Sequence, residues 1–87
     1  MANYRVEIKR SALRELKRLQ PRVRRRAERF IDSLAANPTP DGAKKMSGRE
    51  NRWRREFTEG YRIIYEVHRG RLVVLILKIG PRGDVYK

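Results

Sequence analysis

Three arginines and one tyrosine are spaced so that they could act together on a phosphodiester. Arg54 and Arg62 lie in consecutive predicted strands, and Arg82 follows the last predicted strand, with Tyr86 shortly after it. Fixed guanidinium groups can neutralise the extra negative charge that a phosphodiester develops on the way to cleavage, and a tyrosine ring can stack on a base. These residue types indicate either an enzyme that cuts RNA or a protein that only binds a polyanion.

The sequence offers no support for several other kinds of chemistry. It has no cysteine and one histidine, and nothing in it indicates a thiolate nucleophile, a metal site, a Ser-His-Asp triad or a phosphate-binding glycine loop. His68 lies beside a predicted turn, where we expect it to face solvent. We therefore predict no metal and no small-molecule cofactor. Because arginine is a poor base, a nuclease built on arginines must rely chiefly on positioning.

The charge balance favours a polyanionic partner. The 87 residues include 23 Lys and Arg against 10 Asp and Glu, a formal net charge of +13, and such a charge favours association with nucleic acid. The length predicts one domain over residues 1–87. No run of about 20 apolar residues and no signal-type segment is present, so we expect no membrane partner and a cytoplasmic protein.

A β-hairpin near the C-terminus would position these arginines. Two β-rich runs, 61–67 and 72–79, flank a turn in which we expect Gly70 to take a positive φ. The second run is nearly continuous in Leu, Val and Ile, so it should lie inside a sheet with a neighbour on each side. With a two-residue loop, one face of the hairpin would carry Arg62, Ile64, Glu66, Val73, Leu75 and Leu77.

The N-terminal half predicts one strand and two helices. Residues 4–8 alternate between apolar and charged, as in a strand with one buried face, and Ser11 can cap a first helix. Pro21 suits the first turn of a second helix, which ends before Asn37 and Pro38. The face opposite the apolar stripe of this helix is either a solvated surface or a nucleic-acid surface. It carries Arg22, Arg25, Arg26 and Arg29.

A further strand is predicted over residues 53–57. Trp53 and Phe57 would enter the core, while Arg54 and Glu56 would face away from it. A short strand or extended segment within 43–48 would carry Lys44 and Lys45. The predicted fold is α+β: a curved antiparallel sheet in the order β-α-α-β-β-β, with both N-terminal helices packed on one face.

Two stretches of the sequence carry a family resemblance. The segment WRREFTEGYRIIYEV and the closing IGPRGDVYK, in this order of elements, resemble the RelE family of toxin-antitoxin systems, within the RelE/ParE superfamily. The resemblance spans nearly the whole chain, and GYRIIYE and the Gly-x-Arg with its terminal VY are its most specific parts. It implies a toxin that is silenced by a cognate antitoxin. It also implies a metal-independent endoribonuclease that cuts mRNA in the ribosomal A site through the 2′-hydroxyl of the substrate, and so inhibits translation.

The resemblance also assigns roles to individual residues. It implies that Arg62 stabilises the transition state, that Arg82 protonates the leaving oxygen and that Tyr86 stacks on a base at the cut. Two outward basic residues usually precede the GYR motif, and by alignment on Trp53 they become Arg54 and a carboxylate.

That carboxylate, Glu56, is a departure from the family pattern. It either disrupts a basic pair or supplies a base, and Arg55 could replace it if the turn were one residue shorter. Pro81 is a second departure, since relatives often have Lys or His before the arginine. The residues expected to contact RNA or the ribosome are Lys44, Lys45, Arg55, Arg22, Arg25, Arg26 and Arg29.

Two other functions stay open. ParE proteins resemble this fold but inhibit DNA gyrase without cutting RNA, and they generally lack the full set of basic residues and tyrosine. A non-catalytic nucleic-acid-binding module would use the same arginines only as phosphate contacts. The combination of Arg54, Arg62, Arg82 and Tyr86 favours the ribonuclease.

Overall fold

The computed structural model describes residues 3–48 and 50–81 of the chain, which form two helices and five strands. In chain order they are β1 (Arg5–Ile8), α1 (Arg10–Arg18), α2 (Pro21–Ser33), β2 (Lys44–Lys45), β3 (Arg52–Thr58), β4 (Tyr61–His68) and β5 (Val73–Pro81). The predicted α+β fold is confirmed. Within these ranges no helix is both long enough and apolar enough to cross a membrane.

The five strands form one open sheet in the order β1-β5-β4-β3-β2. β5 lies between β1 and β4, as its apolar run predicts. Three of the four ladders are antiparallel, but β1 pairs with β5 in parallel, with Arg5 opposite Val73 and Ile8 opposite Ile76. The sheet is therefore mixed, and not antiparallel throughout. Alternation in a sequence identifies the two faces of a strand but not its direction, and no tight turn joins β1 to β5 to fix that direction.

Both helices cover the same face of the sheet, as predicted, and bury its apolar side chains. α1 packs on β5 and α2 packs on β3. α2 begins at Pro21, as predicted, whereas α1 begins at Arg10, so Ser11 lies inside its first turn and is not its cap. The core joins buried residues of both layers. They are Ala12, Leu16, Ala27, Ile31, Leu34, Ile63, Tyr65, Val67, Val74, Ile76 and Ile79.

The loop between β4 and β5 is longer than the predicted two-residue turn. It holds four residues, and Leu72, with φ 54°, takes the left-handed conformation that was expected of Gly70. Glu66 consequently pairs with Leu75 instead of Val73. Because this shift is two residues, the side chains of residues 65–68 and 73–76 keep their predicted faces. A β-bulge interrupts the ladder beyond them, between Ile64 and Tyr65.

Candidate functional site

Arg54 and Arg62 lie on the sheet face that the helices leave uncovered, which we call the open face. Arg54 is directly opposite Ile64, and Glu56 is directly opposite Arg62, in the ladder between β3 and β4. Residues that are directly opposite each other point to the same side of a sheet. The alternation of β3 thus brings both arginines together on the open face, where the sequence analysis expects them.

A cavity of about 100 Å³ lies between these side chains. Lys44 also lines it, because β2 pairs with β3 so that Lys44 is opposite Arg54. Lys44, Arg54, Arg55 and Arg62 line this space together with Gly42 and Glu56, and its volume fits one small anionic group. Such an arrangement of fixed cations can bind a phosphate and stabilise the charge that builds up on it.

Glu56 is the acidic residue at this cavity and forms an ion pair with Arg62. The distance from Arg62 Nε to Glu56 Oε1 is 3.7 Å, longer than a hydrogen bond. The Arg62 side chain is 20% exposed and that of Glu56 is 49% exposed. The carboxylate thus lies beside the half-buried guanidinium while itself remaining open to solvent.

Arg55 belongs to the other side of β3, opposite Ile63, but its side chain also lines the cavity. It is held by contacts with the protein. Its Nε donates a hydrogen bond to the carbonyl oxygen of Asp41 at 2.9 Å, and its guanidinium lies 5.5 Å from the centre of the Phe30 ring. It also donates to the carbonyl oxygen of Glu56. The shorter turn that would exchange it with Glu56 on the open face is not formed. Gly42 permits this arrangement, since a Cβ there would lie 2.9 Å from Arg55 Nε.

The remaining predicted contact residues do not join Arg54 and Arg62. Lys45 is opposite Trp53 and so belongs to the helix side of the sheet. The four predicted arginines of α2 are all exposed, on the helix that covers the other face. They are Arg22, Arg25, Arg26 and Arg29. Arg82 and Tyr86 lie outside the described residues.

Lys78 is a cation of the open face that the sequence analysis missed. A β-bulge between β4 and β5 shifts the register so that Ile64 pairs with Lys78 while Tyr65 pairs with Ile76. Lys78 therefore lies across Ile64 from Arg54, and Ile64 is only 4% exposed although no helix covers it. The aliphatic stems of the flanking long side chains can cover such a residue. The signal in the sequence was a single charge within the apolar run of β5.

A second polar cluster lies further along the same face and includes the histidine that was expected to face solvent. Arg52 donates to Glu66 Oε2 at 2.9 Å, and His68 Nε2 lies 3.0 Å from Glu66 Oε1. Asn51 Nδ2 lies 3.2 Å from His68 Nδ1. These bonds hold His68 at 27% exposure. The expectation for His68 was wrong because strand β4 extends through it and directs its ring towards Glu66.

The charge of Glu66 depends on these neighbours. Burial by itself would raise the pKa of Glu66, but the hydrogen bonds and positive charges of Arg52 and His68 outweigh it and lower that pKa below its usual value. The carboxylate is thus ionised and neutralised locally. No group of three or more His, Asp or Glu side chains within the described ranges is arranged to hold a metal ion.

Sequence comparison identifies a family model that covers almost the entire chain. The model is described as the ParE toxin of the type II toxin-antitoxin system, parDE, and it matches residues 6–86. Comparison with curated protein sequences gives no match.

Several solved structures are similar to this fold. A chain of the archaeal RelE–RelB complex from Pyrococcus horikoshii OT3 has a TM-score of 0.82 and 32% identity, over 94% of this chain and 98% of that one. A chain of the toxin-antitoxin complex RelBE2 from Mycobacterium tuberculosis has a TM-score of 0.78 and 25% identity, over 93% of this chain and 100% of that one. The isolated E. coli RelE toxin shares the fold, with a TM-score of 0.78 at 24% identity over 95% of this chain and 90% of that one. The chain therefore belongs to the RelE/ParE superfamily, the toxins of type II toxin-antitoxin systems.

Proposed function

We propose that this toxin is a ribosome-dependent endoribonuclease that inhibits translation by cutting mRNA in the ribosomal A site, and that residues 1–87 form one RelE-like domain. The observation that carries the proposal is the cavity on the open face, which Arg54, Arg62 and Lys44 line and whose volume fits one phosphate. The 32% sequence identity with an archaeal RelE supports the proposal further.

The proposed reaction uses the 2′-hydroxyl of the substrate as the nucleophile. As the 2′-hydroxyl loses its proton to solvent, its oxygen attacks the adjacent phosphorus, the bond to the 5′-oxygen of the next nucleotide breaks, and a 2′,3′-cyclic phosphate and a 5′-hydroxyl result. Arg62 stabilises the charge on the phosphate, with Arg54 and Lys44 beside it. Arg82 supplies a proton to the leaving oxygen, and Tyr86 stacks on a base at the cut.

The dependence on the ribosome follows from what the site has to do. In-line attack requires the 2′-hydroxyl, the phosphorus and the leaving oxygen to be aligned, and such alignment contributes a large part of the rate of many enzymes. A small open face of cations binds a phosphate but does not by itself hold a flexible RNA strand in that geometry. In this mechanism the decoding site of the ribosome holds the mRNA while the toxin supplies the charges.

The natural partner in this proposal is a cognate acidic antitoxin. The similar structures from P. horikoshii and M. tuberculosis are complexes of toxin and antitoxin. A chain with a formal net charge of +13 would gain stability from an acidic partner that neutralises its repulsion. Expression of this chain alone should arrest growth, and co-expression with the neighbouring open reading frame should restore it.

The test of the proposal is a translation assay followed by primer extension on the message. We expect cuts within the open reading frame only when ribosomes are present, and Arg62→Ala should slow single-turnover cleavage about 100-fold. Arg14→Ala on the exposed side of α1 is the matched control, because it removes the same charge away from the cavity. Metal-free cutting of naked RNA at full rate, or unchanged cleavage by Arg62→Ala, would contradict the proposal.

Inhibition of DNA gyrase is the second candidate function. The family model that matches is described as a ParE toxin, and a cationic surface can also bind an acidic region of an enzyme. A gyrase supercoiling assay beside the translation assay separates the two. Loss of supercoiling with an intact message would assign the chain to gyrase inhibition.

A further inference from the structure

A cavity of about 540 Å³ lies at the end of the sheet, apart from the Arg62 cavity. We call it the Trp53 groove. It is lined by the buried Val67, the half-buried Trp53, and the exposed cations Lys45, Arg69 and Arg71. Its volume is in the range of pockets that hold small organic ligands, and its lining combines an aromatic ring with positive charge.

The two-residue strand β2 separates this groove from the Arg62 cavity. Lys44 is opposite Arg54 and lines the Arg62 cavity, whereas Lys45 is opposite Trp53 and lines the groove. Successive residues of a strand point to opposite sides. The adjacent lysines thus line two different cavities, and the groove lies at the end of the sheet, where His68 of the open face also borders it.

The positions of the cations around Trp53 indicate what the groove binds. β3 lies between β2 and β4, so Lys45 and the loop that carries Arg71 flank Trp53 from opposite sides. In a nucleic-acid strand, phosphates lie on both sides of each base. An indole between two cations matches one unpaired base with its two phosphates, because the ring can stack on the base while the cations bind the backbone.

We propose that the Trp53 groove binds a nucleotide of single-stranded RNA, with its base against Trp53 and its phosphates on Lys45 and Arg71. Glu50 also lines the groove and reduces its charge, and Arg69 is partly engaged, since its guanidinium lies 3.4 Å from the Tyr4 hydroxyl. Lys45 and Arg71 are therefore the two cations that bind the phosphates. This binding does not depend on cleavage at the Arg62 cavity.

The sequence provides a direct probe, because Trp53 is its single tryptophan. Titration with a short oligouridylate should quench the fluorescence of Trp53 in a saturable way. Lys45→Gln should weaken this binding at least about threefold, and Arg71→Gln should do the same. Lys17→Gln is the matched control: it removes an identical charge from the exposed side of α1, away from both cavities, and it should leave the quenching curve close to that of the wild type.

A second variant tests the stacking itself. Trp53→Leu keeps an apolar side chain at the core but removes the ring, and its binding is measured by the anisotropy of labelled oligouridylate, with circular dichroism to verify folding. We expect an affinity loss of about fivefold or more. Equal effects of Lys17→Gln and Lys45→Gln would overturn the proposal. Binding of polyglutamate in the groove without binding of RNA would also overturn it, since that result would identify an acidic protein as the ligand.

Discussion

At the scale of single residues, Arg55 of β3 and Arg62 of β4 differ in the contacts that their side chains make. Arg55 is fixed by Asp41 and Phe30 on the helix side, where its guanidinium stabilises the loop before β2. Arg62 forms an ion pair with the exposed Glu56 and lines the cavity. Arg55 thus stabilises the fold, whereas Arg62 is placed to bind a ligand. A substitution of Glu56, the ion-pair partner of Arg62, tests how Arg62 binds that ligand.

Glu56→Gln should strengthen binding to programmed ribosomes by about twofold to fivefold, because the carboxylate competes with a phosphate for Arg62, and exposed ion pairs of this kind are weak. Affinity and single-turnover cleavage are measured separately. Glu7→Gln is the control, since Glu7 forms a comparable pair with Arg5 at 3.0 Å on the far edge of the same face. A large loss of cleavage at unchanged affinity would instead identify Glu56 as the general base.

Tyr65 should make the protein sensitive to alkaline pH. Its side chain is fully buried and donates to the carbonyl oxygen of Pro38 at 2.8 Å, and burial raises its pKa to about 12, partly opposed by the charge of Arg55. The pKa of Tyr65 in the folded protein lies above its unfolded value of about 10. The neutral Tyr65 hydroxyl therefore stabilises the fold fully below pH ~10, and this stabilisation is lost as pH rises towards 12. The expected loss is about 2–3 kcal/mol in the free energy of unfolding.

Urea unfolding of the wild type and of Tyr65→Phe at neutral and alkaline pH checks this expectation. The variant should be less stable by about 1–2 kcal/mol at neutral pH, since the Pro38 carbonyl loses its donor, and its difference from the wild type should shrink as pH rises. Tyr61→Phe keeps the bond to Pro38 and serves as the control. A constant difference across the pH range would disprove the role of the Tyr65 hydroxyl.

At the scale of elements, turns and a bulge decide which side chains reach the open face. The bulge in the ladder between β4 and β5 moves Lys78 onto the open face. The four-residue loop shifts the register by two residues, so the side chains next to it stay on the same face as with a two-residue loop. Gly60 joins β3 to β4 with φ 76°, while Gly70 lies in the next loop outside the left-handed region. The two glycines have equal free space, because neither would bring a Cβ within 4 Å of another group.

These two glycines provide a matched test of backbone conformation. Gly60→Ala should destabilise the protein by about 1 kcal/mol, because a Cβ is strained in the left-handed region. Gly70→Ala should stabilise it by about 0.4–1 kcal/mol, since it restricts only the unfolded chain. Thermal or urea unfolding measures both variants, and a change of the same sign in the two would contradict the assigned conformations.

At the scale of the whole molecule, charge is the dominant property. The described part measures 34 × 27 × 25 Å, and at about 0.01 M salt the Debye length is about 30 Å, so every cation interacts with every other. At about 0.15 M it falls to about 8 Å, and only neighbours interact. A net charge of +13 therefore opposes folding most strongly in dilute buffer.

We expect the melting temperature to rise by several degrees as sodium chloride increases from low to physiological concentration, because screening reduces the self-repulsion. The double variant Arg25→Gln with Arg29→Gln, on the exposed side of α2, should show a smaller rise. Differential scanning calorimetry in matched buffers provides the measurement. A melting temperature that falls with salt would mean that ion pairs such as Arg5–Glu7 outweigh the net repulsion.

The alternation of strand residues was enough to predict the faces of Arg54 and Arg62, because a period of two assigns each side chain to one side. Lys78 could not be predicted, since a bulge inserts one residue and no periodic pattern signals it. His68 was missed because its environment depends on Asn51 and Glu66, which only the pairing of β3 with β4 brings together. The direction of β1 depends on a partner far along the chain, so local sequence does not encode it.

The parallel pairing of β1 with β5 also determines when the protein can fold during its own synthesis. β1 leaves the ribosome first, and its neighbour in the sheet is the last of the described strands to be made. Closing so long a loop costs entropy that only later contacts repay, and α1 packs on β5, which supplies the buried Val74 and Ile76. A nascent chain whose β5 has not yet emerged from the ribosome therefore cannot complete its core. On the proposed function, the topology keeps an unfinished toxin inert towards the ribosome that is making it.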